Sequence, residues 1–478
     1  MPTDLLRADD LWLARLAFQR GLAAVYLVAF LVALHQFRPL LGERGLLPVP
    51  EFVRAVPFSR SPSLFHWRYS DRLFGAVAWT GTALSALVLA GVTDALPLPA
   101  AMLVWALLWA MYLSIVNVGQ TFYAFGWETL LLEAGFLAIF LGNAASAVPL
   151  PLMLLLRWLL FRVEFGAGLI KIRGDECWRD LTCLYYHHET QPMPNALSWW
   201  FHHLPKPLHR LEVLGNHFAQ LVVPFLLFAP QPLASAAAIV IIATQSWLLV
   251  SGNFSWLNLI TIVLAVAAVD AAALGAAARL SAPATELPLW YAVVVALVTG
   301  LIVVLSYRPA RNLLSRRQLM NYSFDPLHLV NTYGAFGSVT KERYEVIVEG
   351  TEDAVLTPQT EWKEYEFKAK PGDVRRVPPQ YAPYHLRLDW LMWFAAMSSP
   401  MYHEWFLPFL GKLLEADPPT LRLLRFDPFG GRRPRFVRAR LYLYRFTTPQ
   451  ERRRTGAWWS RTLEGDYVRP ATLRTASG

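Results

Sequence analysis

Up to residue 307 the chain is built from apolar stretches of membrane-spanning length; beyond it, apolar and polar residues alternate in short runs. A hydrocarbon core of about 30 Å takes about 20 apolar residues in a helix. By that ruler nine segments are candidate spans, near 15–35, 74–92, 100–118, 127–142, 150–171, 213–229, 233–250, 255–275 and 288–307. The fourth and sixth fit least well. The first has no small-residue cleavage site and reads as a retained span. Long polar connections fall at 36–73 and 172–212.

After Tyr307 the pattern is that of a water-soluble fold, entered through an amphipathic connector at 311–321. RYEVIVEG (343–350), WKEYEFK (362–368) and FVRARLYLY (436–444) alternate and are rich in β-branched and aromatic residues, which predicts strands. Residues 386–397 and 404–415 predict short helices whose aromatic side chains look free to rest on a membrane surface. The expected fold is a polytopic α-helical membrane protein with about nine transmembrane helices in residues 1–307. A C-terminal soluble α+β domain follows in 308–478, long enough for its own core. Trp105, Trp109, Trp127, Trp158, Trp199, Trp200, Trp247, Trp256 and Trp290 fall mostly near predicted ends, where an amphipathic ring suits the interface.

Composition agrees, because 55% hydrophobic against 17% charged residues is a membrane-protein balance. Residues 74–156 contain no Lys or Arg, so the net charge of +9 belongs mainly to loops and the C-terminal region. Basic clusters beside spans contact anionic headgroups or fix topology, and no nucleic-acid recognition motif accompanies them. Membrane lipids are therefore the expected partners, and nucleic acid is not. With nine spans the two long loops and the C-terminal domain share one face. The positive-inside rule places that face in the cytoplasm. Cys177 and Cys183, the only two cysteines and six apart in one loop, argue instead for a disulfide on an oxidising face. Lysine is scarce beside arginine, a usage that suggests a bacterial coding sequence rich in G and C.

The densest chemistry lies in RWLLFRVEFGAGLIKIRGDECWRDLTCLYYHHETQ (157–191). On a helix, Arg157, Glu164 and Lys171 fall seven apart on one face, with Gly168 beside them to admit a neighbouring helix. A charge at the centre of a span costs about 2.5–3.5 kcal/mol on insertion scales. One reading is a buried polar site in which Glu133 and Glu164 hold Arg157, Arg162 or Lys171. The other is that Arg157 and Lys171 snorkel from the helix ends and Glu164 makes one structural ion pair. Around this stripe, Glu128, Arg173, Asp175, Trp178, Arg179, Asp180, His187, His188, Glu189 and Gln191 complete the candidate cluster, and Arg387, Asp389 and Trp390 form a further motif in the C-terminal region.

Six of the eleven histidines lie between 187 and 217, yet their spacing matches no zinc or diiron motif, and no metal is expected. No GxSxG or phosphate-cradling loop occurs, and C-x5-C is not a redox pair. No cofactor is expected, although a bound lipid suits such a site.

At this point the chain strongly resembles the lipase maturation factor family. The resemblance rests on WRYSD (67–71), GQTFYAFGWETLLLEAGFLAIFLG (119–142), the run 155–195, FHHLPKPLHRLEVLGNHFAQLVVPF (201–225), 312–351 and YHLRLDWLMWF within 375–397. It covers nearly the whole chain after residue 60. It implies a membrane-embedded bundle with a C-terminal domain facing the lumen or, in a bacterium, the periplasm, and a role in the folding and assembly of secreted clients such as dimeric lipases. Animal members reside in the endoplasmic reticulum. GLIKIRGDECW (168–178) is also similar to a segment of the vitamin K-dependent γ-carboxylase type of membrane domain, with Lys171, Asp175 and Trp178 at the matching positions.

Two functional readings follow. The preferred one is a non-catalytic maturation factor whose C-terminal domain and 172–212 loop hold client proteins. The alternative is a membrane enzyme with Lys171 as base, and Arg157, Arg162, Glu133 and Glu164 around a lipid-like or quinone-like substrate.

Overall fold

The computed structural model describes residues 6–271, 273 and 286–473. The bundle opens with α1 (Trp12–Leu41), a short α2 (Val49–Ala55), α3 (Asp71–Ala90), α4 (Leu98–Asn117), α5 (Gly126–Ile139) and α6 (Leu150–Arg173). Ser70 starts α3 by accepting the Leu73 N–H, and Gly91, at a φ of +98°, ends it. Prolines at the first turn start α4 and α6. The loop after α6 holds α7 (Glu176–Arg179), α8 (Leu184–Thr190) and α9 (Ser198–His202). Then come α10 (Lys206–Leu221), α11 (Val223–Leu226), α12 (Leu233–Ser251), α13 (Leu257–Val266), α14 (Leu289–Leu305) and α15 (Tyr307–Leu314).

Among the described residues, five helical segments are long and apolar enough to cross a membrane: 9–41, 71–90, 98–117, 233–251 and 289–314. The expectation of nine is corrected to that extent, and each shortfall has a cause. α5 has 14 residues, and all but Phe136 are buried in protein. α6 has the length, at 24 residues, but carries five charged side chains. The 213–229 segment is divided between α10 and α11, with Pro224 in the first turn of the latter. α13 has ten residues, and the end of the 255–275 segment lies outside the described residues.

The C-terminal region forms one four-stranded antiparallel sheet in the order β2-β1-β3-β4, from β1 (Arg343–Thr351), β2 (Lys363–Glu364), β3 (Phe436–Phe446) and β4 (Trp459–Ala471). Glu349 lies opposite Arg438 and Val346 opposite Leu441. The predicted strand at 362–368 shrinks to two residues plus a bridge between Glu366 and Phe426, and β4 was not anticipated. Helices α16 (Arg387–Ala396), α17 (Phe406–Leu414), α18 (Pro418–Leu421) and α19 (Pro449–Thr455) accompany the sheet. Thr448 and Glu451 close a capping box on α19.

The aromatic residues expected on a membrane surface are mostly interior: Trp390, Trp405, Phe406 and Phe409 are buried. So are Trp105, Trp127 and Trp256, which belong to the core and not to an interfacial belt. A single apolar cluster runs from the bundle through Leu388, Trp390 and Phe406 to Val346 and Val348 of β1, so the C-terminal region shares its main core with the bundle.

Candidate functional site

Three buried ionic networks tie the bundle and its long loop to the chain beyond residue 320. In the first, Glu128 in the first turn of α5 faces Arg387 of α16, with Oε1 at 2.8 Å from Nη1 and neither side chain exposed. The Tyr112 hydroxyl donates to the same carboxylate. Arg387 also donates to the Phe122 carbonyl at 2.6 Å and lies 3.4 Å over the Tyr123 ring. Gln36 of α1 accepts the Arg387 N–H at 2.9 Å and donates to the His385 carbonyl at 2.6 Å. His385 Nδ1 stands 3.8 Å from Glu128, and burial outweighs that attraction and pushes the imidazole down to about 4.

In the second, Arg162 of α6 grips both oxygens of Glu133 on α5. Asn331 closes the ring: its carbonyl accepts from Arg162 at 2.6 Å, and its N–H and side-chain amide each donate to Glu133 at 3.0 Å. Tyr333 donates to Glu133 at 2.8 Å. Its carbonyl approaches so closely that a Cβ at Gly166 would stand 2.5 Å away.

In the third, Glu345 on β1 sits between Arg343 at 2.6 Å and Lys370 at 2.8 Å, all fully buried. Arg343 donates to the Glu189 carbonyl at 3.0 Å, to the Gln191 carbonyl, and to the Pro192 carbonyl at 3.1 Å. The Glu189 side chain accepts the Phe446 N–H from β3. Asp389 accepts from the backbone N–H groups of Ala369 and Lys370 at 2.6 and 3.2 Å, and burial pushes its carboxyl up against those donors. Trp390 packs edge-on to Trp127, 4.9 Å between centroids.

The seven-spaced stripe on α6 behaves differently. Of the buried site in which Glu133 and Glu164 would hold Arg157, Arg162 or Lys171, the structure forms the Glu133–Arg162 pair, whereas among the described residues none of the stripe's own members forms an ion pair. Arg157 donates to the Leu227 carbonyl at 3.2 Å. Glu164 accepts from Gln245 at 2.7 Å, and Gln245 accepts in turn from Asn258 at 2.7 Å. Lys171 donates to Gln220 at 2.8 Å and lies 5.1 Å from the centre of the Trp178 ring. α10 comes this close because Gly168 has no side chain: a Cβ there would stand 3.0 Å from the Cβ of Gln220.

Beyond the stripe, Cys177 and Cys183 form a disulfide. Asp175 caps α7 by accepting the Cys177 N–H at 3.1 Å, and Trp178 donates to the Phe336 carbonyl at 2.8 Å. Arg173 reaches Gln318 and the Leu313 carbonyl, both at 2.9 Å. Arg179 and Asp180 are exposed. His187 and His188 are buried, and Gln191 donates to Ser198 at 2.9 Å and the Ser251 carbonyl at 3.1 Å. An open cleft of about 700 Å³ lies elsewhere, lined by Arg60, Asn117, Gln120, Tyr123, Ser323 and His328 among others, and not by Lys171.

Residues missed from sequence include Tyr112, Asn331, Tyr333, Arg343, Glu345, Lys370 and His385. For Arg343 and Glu345 a signal existed: charges inside a strand of otherwise apolar alternation imply paired burial. For the others nothing local separates them from surface residues.

The family model described as "Lipase maturation factor transmembrane domain" matches residues 13–276, and that described as "Lipase maturation factor C-terminal domain" matches 329–469. The chain is 43% identical to Lipase maturation factor 1 of Bos taurus over 99% of its own length and 91% of that protein's. Against the Homo sapiens protein of the same name it is 43% identical, covering 98% and 89%. Lipase maturation factor 2 of Homo sapiens is 30% identical, covering 96% and 83%. No solved structure matches. Two family models in the expected order and near-complete coverage of the relatives leave one assignment: the chain belongs to the lipase maturation factor family.

Proposed function

We propose that this protein assists the folding, assembly or maturation of secreted clients, lipases among them, at the membrane. The observation that carries this reading is the 43% identity to Lipase maturation factor 1 over 99% of the chain. The three buried networks support it, because they hold the C-terminal region and the 172–212 loop against the bundle as one rigid client-facing surface. The Cys177–Cys183 disulfide supports an oxidising side for that surface, the periplasm if the chain is bacterial. α5 and α6 then lie inside the bundle, where surrounding protein relaxes the demand for apolar length and tolerates their charges.

The test is co-expression with a dimeric secreted lipase in cells lacking their own maturation factor. Secreted lipase activity per unit of lipase protein rises if the reading holds, and stays at the level of an empty vector if it fails. Orientation is tested separately by membrane-impermeant thiol labelling of a Thr455→Cys variant in intact cells or sealed vesicles.

The enzyme reading retains one supporting observation, namely that buried Lys171 has no carboxylate within ion-pair distance among the described residues. Its neighbours Gln220 and Trp178 instead join α6, α10 and the loop, which is the arrangement of a pin.

A further inference from the structure

The histidines between 187 and 217 have no metal-binding spacing, but folding gathers three donors that the sequence keeps apart. His209 and Glu212 lie three residues apart on one face of α10, and the His188 ring of α8 packs against that of His209, 5.8 Å between centroids. One ligand atom from each lies within 4.8 Å of the other two. We infer that His188, His209 and Glu212 form a zinc-binding site that fastens α8 to α10.

The tautomer of His209 carries the argument. Its Nε2 contacts the His202 carbonyl at 3.4 Å, and a carbonyl only accepts, so Nε2 holds the hydrogen. In the neutral ring that leaves a bare lone pair on Nδ1, buried without a hydrogen-bond partner, and facing Glu212 Oε2 at 3.9 Å. A lone pair and a carboxylate oxygen repel each other unless a cation lies between them. His188 supplies the second, independent observation: it is 2% exposed, and neither ring nitrogen has a hydrogen-bond partner. Leaving such a group unsatisfied in a buried site is unfavourable, and a metal bond removes the need at one nitrogen.

The surroundings are those of a built site. The other oxygen of Glu212 accepts the Trp247 indole N–H at 2.6 Å, which orients the carboxylate from outside. His209 is oriented in the same way through the His202 carbonyl. Glu212 is only partly buried and gives the ion a path from solvent. Two imidazoles and a carboxylate are a zinc donor set, with the fourth position left for water. Zinc bonds of about 2.0–2.1 Å set tetrahedral donors roughly 3.3 Å apart, so the present spacing closes by about 1.5 Å or less through side-chain rotation.

The experiment uses the full chain, extracted in mild detergent from cells grown with zinc, and measures bound metal by mass spectrometry. The wild type carries about one zinc per chain, and a His209→Gln/Glu212→Gln variant loses most of it. Equal zinc in the two proteins, or none in the wild type after exposure to Zn²⁺, overturns the site and leaves a proton between His209 and Glu212 as the explanation of their contact. If the variant does not fold, the wild type decides alone. After chelation, Co²⁺ produces the visible bands of a four-coordinate nitrogen and oxygen site, and Zn²⁺ abolishes them. No bands on Co²⁺ addition overturns the proposal.

Discussion

The α5–α16 junction and the stripe on α6 both bury charge, but they neutralise it in opposite ways. At the junction Glu128 meets Arg387 directly, the Tyr112 hydroxyl donates to the carboxylate, the Phe122 carbonyl accepts from the guanidinium, and Gln36 accepts the Arg387 backbone N–H. Along the stripe Arg157, Glu164 and Lys171 meet only neutral partners: a carbonyl and two glutamines. The first arrangement is intolerant of losing either member, because the survivor is left charged in a dry interior. The second has no direct ion pair to break. Proximity of charged residues in sequence therefore did not reveal which of them carry the architecture.

The largest expected effect follows from breaking the junction. Arg387→Met leaves Glu128 buried without its cation and lowers stability by about 3–5 kcal/mol. Thermal unfolding in detergent measures this, and proteolysis of the C-terminal region at native temperature shows where the opening begins. Adding Glu128→Gln removes the stranded charge, so the double variant recovers part of the loss. If both variants unfold like the wild type, the junction is not what holds the domain to the bundle.

His385 makes the same junction sensitive to acid. Its folded-state value of about 4 lies below the ordinary 6.5, so the folded protein favours the neutral ring and the unfolded chain takes up the proton first. Stability from this group is complete above about pH 6.5 and is lost as the pH falls towards about 4. At pH 5 the loss relative to pH 7 is about 2 kcal/mol. A His385→Gln variant lacks this contribution, and the difference between the two unfolding profiles isolates it. Parallel profiles from pH 7 to pH 5 would show that the ring is not held neutral.

The loop that follows the stripe is held covalently instead. Cys177→Ser opens a ring closed across six positions and removes about 2 kcal/mol of loop-closure constraint. The expected consequence is earlier cleavage of the 172–212 loop by added protease, with the midpoint of global unfolding moved only slightly. Unchanged loop cleavage in the oxidised and reduced proteins sinks that assignment.

Much of this was legible in the chain. β1 and β3 follow from their alternation, the disulfide from two isolated cysteines, and the α6 stripe from its seven-residue spacing. What stayed hidden depends on distant partners. Glu128 and Arg387 lie 259 positions apart in the chain, and nothing near either residue names the other. The length ruler failed at α5 for a related reason, since a helix buried in protein is not measured against lipid. Trp390 and Trp405 read as surface aromatics because α16 and α17 bury more than one face against a core they share with the bundle.

Lys171 gives the smallest expected stability effect and the sharpest functional test. Replacing it by Met removes one hydrogen bond to Gln220 and the contact with the Trp178 ring, together with the cost of burying an ammonium group that has no carboxylate partner. These contributions oppose each other, and the net change is within about 1 kcal/mol. Gln220 keeps a second donor in Asn216 at 3.2 Å, so no buried acceptor is stranded. Because the variant folds, its activity can be read directly. A pin between α6, α10 and the loop predicts that Lys171→Met supports client maturation nearly as well as Lys171→Arg, which restores the charge and a donor. A base predicts near-complete loss in both, because the guanidinium does not give up its proton in the physiological range. Loss in both variants with unfolding midpoints unchanged would establish chemistry at α6. Retention in both would confine the role of the stripe to holding the loop in place.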